Sequence, residues 1–412
     1  MYALQERTYA VRYRLRTFAR ALRSRFPVVR LSGRTQRDGH HGSIIVAGRQ
    51  PAATYLAEFI FASPPECTVL GNVPLWALPR MLASLTPSVD LVIGRVDTLS
   101  ARLFFDSNYL HAPEWVELWL TVPADLSSLT TGYHNKGLKK DLRRVTRNGI
   151  TCELSQSQAD LEVYYHDFYV PYARLRFGAY SQLTSLAVLR RRLKYGGLRW
   201  ALRDGQRLAG STFVHGDIVY RSQTLGAAEG DASVLQSGAF VALYWAAIEH
   251  AHALGCKEVD FGGSQAILTD GTLRFKRKFG VRLVDRGYSA RRVLRWSKLN
   301  PTVLTLLRTA PLIFQEGRHL SALSMLDLDQ PAEPDEVRQA YRFLRMPGLY
   351  GIHLLSAAGF TRDVTAPPRT CLVDLYALRN GDLSELLSAG MLESRRPESS
   401  AASVEPGAGL FS

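Results

Sequence analysis

Cysteine is scarce: the 412 residues hold four, Cys67, Cys152, Cys256 and Cys371, far apart and each in apolar company. That spacing excludes a disulfide-stapled scaffold and a CxxC-type zinc or redox motif, and it reads as buried free thiols in a reducing compartment. No run of 18 apolar residues occurs, so no membrane-spanning helix is expected. The N-terminus has no uninterrupted apolar core of signal-peptide type. There is no P-loop, no Ser-His-Asp order and no metal-ligand spacing, so neither a metal nor a resident cofactor is expected. Acids are nearly missing from the start: residues 1–50 hold eleven arginines against Glu6 and Asp38 alone.

What is present is an ordinary globular composition, 46% hydrophobic and 21% charged, carrying a net charge of +14. A core of normal size can form without staples. The positive charge is uneven. A second basic run holds Arg274, Lys276, Arg277, Lys278, Arg282, Arg286, Arg291, Arg292, Arg295 and Lys298 against Asp285. Such asymmetry points to an anionic partner: RNA, an anionic membrane surface or a phosphorylated small molecule. The first 26 residues read as a basic amphipathic helix, with Leu4, Val11, Leu15, Phe18 and Leu22 near helical spacing. The expected location is cytoplasmic, with membrane-peripheral contact as an option.

Four regions are expected. Residues 1–112 form an N-terminal α/β unit. Residues 113–290 form a second unit with α+β order. Residues 291–392 read as a helical extension, and residues 393–412 as a disordered tail rich in Ser, Pro, Ala and Gly. In the second unit, Val116 to Val122 alternates like a half-buried strand. A basic helix ending at Asn148-Gly149 follows, then a strand and two helices. Three strands come next in quick succession, turning at Asp204-Gly205 and at Gly216-Asp217. A long helix from Gln236 to Leu254 stops at Gly255.

After that helix comes VDFGGSQAILTDGTLRFKRKFG, residues 259–280: a short strand ending in Asp260 and Gly262-Gly263, then Phe275-Lys276-Arg277-Lys278. This order of helix, glycine, strand with Gly-Gly and aromatic-Lys segment resembles the end of the acyltransferase domain in the FemA/FemB/FemX family. The resemblance spans about residues 113–290. It implies a GNAT-type α+β fold with a mixed central sheet flanked by helices, with tandem GNAT-like halves as an option.

The resemblance also implies site residues. Phe275 and Lys276 would lie beside the acyl-transfer site, Phe275 stacking on a base or acyl group and Lys276 binding phosphate or a developing oxyanion. Lys278, Arg277 and Arg274 would extend that surface toward the donor. Ser237 and Gly238, at the start of the long helix, would bind donor phosphate; they read equally as a capping serine and a packing glycine. Asp260 either binds an amine or forms a turn. Tyr220 and His215 flank the central hairpin, where acceptors bind in GNAT folds; a structural role competes. Glu229 and Asp231 lie before the long helix, where they would meet an acceptor amine. The basic helix, with Lys136, Lys139, Lys140, Arg143, Arg144 and Arg147, presents either a phosphate-binding or a solvated face.

The implied activity is N-acyl transfer from aminoacyl-tRNA to an amine, with tRNA as partner and a small or cell-envelope amine as acceptor. Acyl-CoA as donor is the alternative, and a non-catalytic RNA- or membrane-binding module is the rival of another class. The absence of a nucleophile motif is consistent with this chemistry, because an activated donor needs positioning and oxyanion stabilisation rather than covalent help.

Overall fold

The computed structural model describes residues 2–48, 52–131, 136–181, 183–228, 232–326 and 329–375. In chain order the first unit holds α1 (Tyr2–Leu22), β1 (Arg25–Arg34), β2 (His41–Ala47), β3 (Glu66–Pro74), α2 (Leu78–Leu85), β4 (Leu91–Val96), α3 (Thr98–Phe104) and β5 (Leu110–Pro113). The second holds β6 (Trp115–Thr121), α4 (Lys136–Arg147), β7 (Thr151–Ser155) and α5 (Gln158–Val163). A π-helical turn (Tyr164–Tyr169) joins α5 to α6 (Val170–Phe177). Then come α7 (Leu186–Leu193), β8 (Gly196–Arg203), β9 (Gln206–His215), β10 (Val219–Ala227), α8 (Ala232–Ser237), α9 (Ala239–Ala253), β11 (Glu258–Gln265), α10 (Gly271–Arg277) and β12 (Arg282–Val284). The remainder holds β13 (Arg291–Arg295), α11 (Pro301–Thr309), β14 (Leu312–Glu316), β15 (His319–Leu326), α12 (Pro334–Leu344), β16 (Leu349–Ser356) and β17 (Thr370–Asp374).

The second unit is a mixed seven-stranded sheet in the order β12-β6-β11-β10-β9-β8-β7. Local chemistry explains its register. Asp204 and Gly205 both take positive φ, 52° and 77°, as a two-residue hairpin turn between β8 and β9 requires. The single parallel pair, β10 with β11, is joined through α9, since parallel neighbours need a crossover. Sheet alternation sets the two faces. Arg199 and Ala201 of β8 meet α9, while Leu198, Trp200 and Leu202 pack under α5, the π turn and α7.

The first unit is a six-stranded sheet, β3-β1-β2-β4-β13-β5, with β2 and β4 parallel. β13 enters it from beyond the second unit and pairs with both β4 and β5.

The region read as a helical extension is instead largely a sheet, β14-β15-β16-β17, with α11 and α12 beside it. The glycine-broken stretch around Gly348 and Gly351 is β16. This sheet is a wedge between two cores. Ile313, Leu320, Ala322, Ile352 and Leu354 pack into the core of the second unit. Their alternates Leu312, Phe314, Leu323, Met325, Leu355 and Val373 pack into the core of the first. Both faces are apolar because both are covered. The proposed tail, residues 393–412, lies outside the described residues. No described helix is long and apolar enough to cross a membrane.

Candidate active site

β10 and β11 run together for three residue pairs only, Val219 with Glu258, Tyr220 with Val259 and Arg221 with Asp260. Beyond these they part. β10 bulges between Ser222 and Thr224 against β9, and β11 bulges between Asp260 and Gly263 against β6. Two bulges on either side of one parallel pair bend the strands away from each other. The gap opens into a cavity of about 760 Å³, closed on its far side by the first unit through Tyr13, Tyr55 and Glu58. Interdomain clefts of this size are where small-molecule ends bind.

Lys276 sits at this gap. It is 4% exposed, and its Nζ donates to the carbonyl oxygens of Gly263 (2.8 Å) and Gly262 (3.4 Å). Those carbonyls belong to β11 where it has left β10. The aromatic-Lys segment is a helix, α10, N-capped by Asp270, whose carboxylate accepts the Leu273 N–H at 2.8 Å. One helical turn carries Lys276 inward and Phe275 sideways. Burial lowers the Lys276 pKa to about 8 from 10.5, and the charges of Asp260 and Asp270 offset part of that.

A stability signature follows from that pKa. Below pH 8 both folded and unfolded chains hold the proton, and the penalty of burying the charge is fully present. Between about 8 and 10.5 the folded state releases a proton that the unfolded state keeps, so stability rises with pH. Unfolding free energy, taken as wild type minus Lys276→Met, is expected to climb by about 3 kcal/mol across that window. Denaturant titrations at pH 7.5 and 10.5 measure it. A flat difference would mean that Lys276 titrates normally.

The cavity walls are aromatic. Tyr169, Tyr172 and Phe177 come from the π turn and α6, Tyr180 from the turn just after α6, Tyr244 from α9, Phe261 from β11, and Tyr55 from the first unit. Burial pushes the Tyr55 and Tyr180 hydroxyls up to about 12, so they remain neutral donors. The π turn is placed by glycine. A Cβ on Gly226 of β10 would lie 2.7 Å from the Phe168 carbonyl carbon and 2.7 Å from the Tyr169 nitrogen. Pro171, which has no N–H to give, stands in the first turn of α6, two residues past the widened turn. Tyr169 is then fixed by its hydroxyl, which accepts the Thr184 N–H at 2.9 Å.

Acids line the same space. Burial raises Glu117, with the charge of Asp260 adding; its Oε2 accepts from Trp119 Nε1 (3.0 Å) and lies 2.9 Å from Arg286 Nε. Burial also raises Asp270. The Ser264 hydroxyl is fully buried at the cavity and has no partner among the described protein groups. Glu117, Tyr55 and Tyr169 belong to no motif, and Ser264 follows Gly262-Gly263 without having been singled out. Their signal is where the chain folds, not what flanks them in sequence.

The sequence-derived residues distribute unevenly. Asp260 is at the gap beside Lys276, but its Oδ1 accepts the Gly262 N–H at 2.8 Å and its Oδ2 lies 3.6 Å from Arg221, an arrangement that shapes the turn. Burial raises its pKa. Phe275 packs on Tyr244 and Phe279 (5.3 and 5.7 Å between ring centroids), behind the cavity wall. Tyr220 is wholly buried on the α9 face, stacked on Phe213 with Arg199 above both rings. His215 is exposed at the hairpin end, away from the gap.

Ser237 and Gly238 lie against α4. The Ser237 carbonyl accepts from Asn148 Nδ2 at 2.7 Å, and a Cβ on Gly238 would sit 3.1 Å from Val145. Arg277 caps α12 by donating to the carbonyls of Arg342 (3.0 Å), Arg345 (2.6 Å) and Phe343. Arg274 lies over Phe343 at 5.8 Å. Lys278 pairs with Asp141 at 2.7 Å, and Asp141 also binds Arg144. On α4, Lys136, Lys139, Lys140, Arg143 and Arg147 are exposed. Glu229 and Asp231 lie outside the described residues. Among the described residues, no three His, Cys, Asp or Glu side chains form a potential metal site.

No family model and no curated protein matches the chain. Solved structures do. L-PGS from Bacillus licheniformis is 12% identical, over 66% of this chain and 86% of that one, at a TM-score of 0.33. FemX is 11% identical over 66% and 88%, at 0.34. A GCN5-related N-acetyltransferase from Anabaena variabilis ATCC 29413 is 12% identical over 70% and 62%, at 0.29. Residues 113–290 keep the order of elements read from the sequence, a mixed sheet flanked by helices.

Proposed function

We propose that the chain is an N-acyltransferase that moves an aminoacyl group from aminoacyl-tRNA onto an amine. One observation carries the reading: a buried lysine at the floor of an aromatic cavity, where two parallel strands part. In this reaction the amine nitrogen attacks the ester carbonyl. A C–N bond forms, the C–O bond to the ribose breaks, and the ribose oxygen leaves with a proton. Negative charge develops on the carbonyl oxygen in between. An ammonium has three N–H groups, and Lys276 uses two on Gly262 and Gly263, so the third is available to that oxyanion. Glu117 and Asp270, held above the usual carboxylate range, suit transient uptake of the amine proton. The tyrosine walls suit the aminoacyl end and the terminal base.

The tRNA donor is favoured by charge and by the start of α9. Exposed Lys136, Lys139, Lys140, Arg143 and Arg147 give α4 a phosphate-binding surface. An acyl-CoA donor would use the α9 start, which Val145 and Asn148 already cover.

Binding of charged tRNA, uncharged tRNA and acetyl-CoA, side by side at moderate salt, tests the reading. Charged tRNA is expected to bind about tenfold or more tighter than uncharged tRNA, with no response to acetyl-CoA. A CoA response would replace the donor with acyl-CoA. Equal binding of charged and uncharged tRNA would make this an RNA-binding module without the transfer step.

A further inference from the structure

α1 has two dissimilar sides. One side holds the protein. Arg14 donates to the carbonyls of Arg286 (2.7 Å) and Gly287 (3.1 Å), Tyr13 meets Tyr288 edge-on, Phe18 lies against Phe104, and Ala21 is buried. The other side exposes apolar groups: Val11 is 55% exposed, Leu15 55% and Leu22 37%. At 3.6 residues per turn these three fall inside an arc of about 40°. Arg12, Arg16 and Arg20, all exposed, fill an arc of about 80° beside it. Leu103 of α3, next to the Phe104 that meets Phe18, is itself 65% exposed.

We infer that this face of α1 docks on an anionic lipid bilayer, with Val11, Leu15 and Leu22 entering the acyl boundary and the arginine stripe at the headgroups. Charge decides the kind of surface and apolar exposure decides against nucleic acid. Phosphate binding alone needs the arginines but gives no reason for three exposed aliphatic side chains in register. An apolar stripe flanked by arginine is the pattern that buries area and gains from anionic lipid together. The inference concerns where the protein works and does not depend on the identity of the acyl donor.

α1 also borders the site. Tyr13, on the same helix, lines the 760 Å³ cavity and a neighbouring groove of about 340 Å³. Trp115, Tyr288 and Ser289 are common to both, so groove and cavity adjoin. Arg20 and Arg25 stand on the groove. The groove thus lies on the side of α1 away from its apolar arc, reached from the arginine stripe through Arg20.

Vesicle sedimentation of the full chain tests the inference. Vesicles containing phosphatidylglycerol are expected to bind it, and pure phosphatidylcholine vesicles to bind about tenfold less or weaker still. Val11→Ser with Leu15→Ser, which leaves charge unchanged, is expected to cut binding to the anionic vesicles by about tenfold, with the thermal melt preserved. Arg12→Gln with Arg16→Gln is expected to weaken binding and flatten its salt dependence. Equal vesicle binding by the serine variant would reduce the face to general charge attraction and overturn the inference. So would no vesicle binding at all, or a serine variant that loses RNA binding instead.

Discussion

Lys276→Met is expected to lower the rate of acyl transfer by about 10² to 10³ while the chain still folds. The magnitude comes from removing one preorganised donor in a water-poor site. Retained folding comes from electrostatics. At neutral pH the buried ammonium is a burden of about 3 kcal/mol on the folded state, judged from its pKa of about 8. Methionine has similar length and removes that burden, although it leaves the Gly262 and Gly263 carbonyls to water in the cavity. A chain that keeps a destabilising charge where an apolar residue would fit keeps it for a reason other than stability. Lys276→Arg is expected not to rescue, since a planar fork cannot replace a compact ammonium in a site 4% exposed. Loss of labelled aminoacyl group from tRNA in the presence of an amine acceptor measures the rate. A Lys276→Met protein within about threefold of wild type would remove Lys276 from the chemistry.

Lys276 was singled out by resemblance, on a strand end with two glycines and an aromatic-Lys segment, while the Asp270 cap and the short helix that carry it inward went unread. The same reasoning placed Phe275, Tyr220 and His215 near the site, and their side chains face elsewhere. Side chains in a strand alternate between two faces, and a single sequence does not say which face will open. Tyr220 faces α9 and fills core. Glu117, two strands away, faces the cavity and drew no notice, because a lone glutamate in an alternating strand looks like a solvent-facing residue. Tyr55 reaches the cavity only because the first unit closes over it, a contact across more than 200 residues of chain. Arg277 was grouped with its basic neighbours, yet its partners are carbonyls at the end of α12.

The misread C-terminal sheet has a related cause. Its strands are apolar on both faces because they separate two cores, and such runs lack the alternation that marks a half-buried strand. Gly348 and Gly351, set in an apolar stretch, give no strand signal of their own. Gly351 lies within β16, and a Cβ on Gly348 would meet the Leu283 backbone at 2.4 Å, so that glycine marks a close approach between segments.

Gly226→Ala should destabilise the protein by about 2 to 4 kcal/mol and loosen the cavity at the same time. Gly226 has an ordinary strand φ, so the cost does not arise from backbone conformation. It arises from the atoms the new methyl would meet. The Phe168 carbonyl carbon, the Tyr169 nitrogen and the Phe168 oxygen would all lie 2.7 to 2.8 Å away, and backbone cannot turn aside as a side chain can. Either β10 or the π turn must shift. Each is tied down: Tyr164 of the π turn donates to Thr224 Oγ1 at 2.9 Å, and Thr224 bonds Thr212 of β9 at 2.6 Å. Moving the turn breaks this buried chain and withdraws Tyr169 and Tyr172 from the cavity wall. The substitution is therefore expected to lower the denaturation midpoint and, at a temperature where the variant is still folded, to raise the donor Kd by about tenfold. Gly205→Ala, at an exposed hairpin turn with φ of 77°, is the control. It should cost about 1 kcal/mol through backbone strain and leave donor affinity unchanged. If Gly226→Ala lost stability but kept donor affinity, the π turn would be scaffold only, and the aromatic wall it carries would have no part in holding the donor.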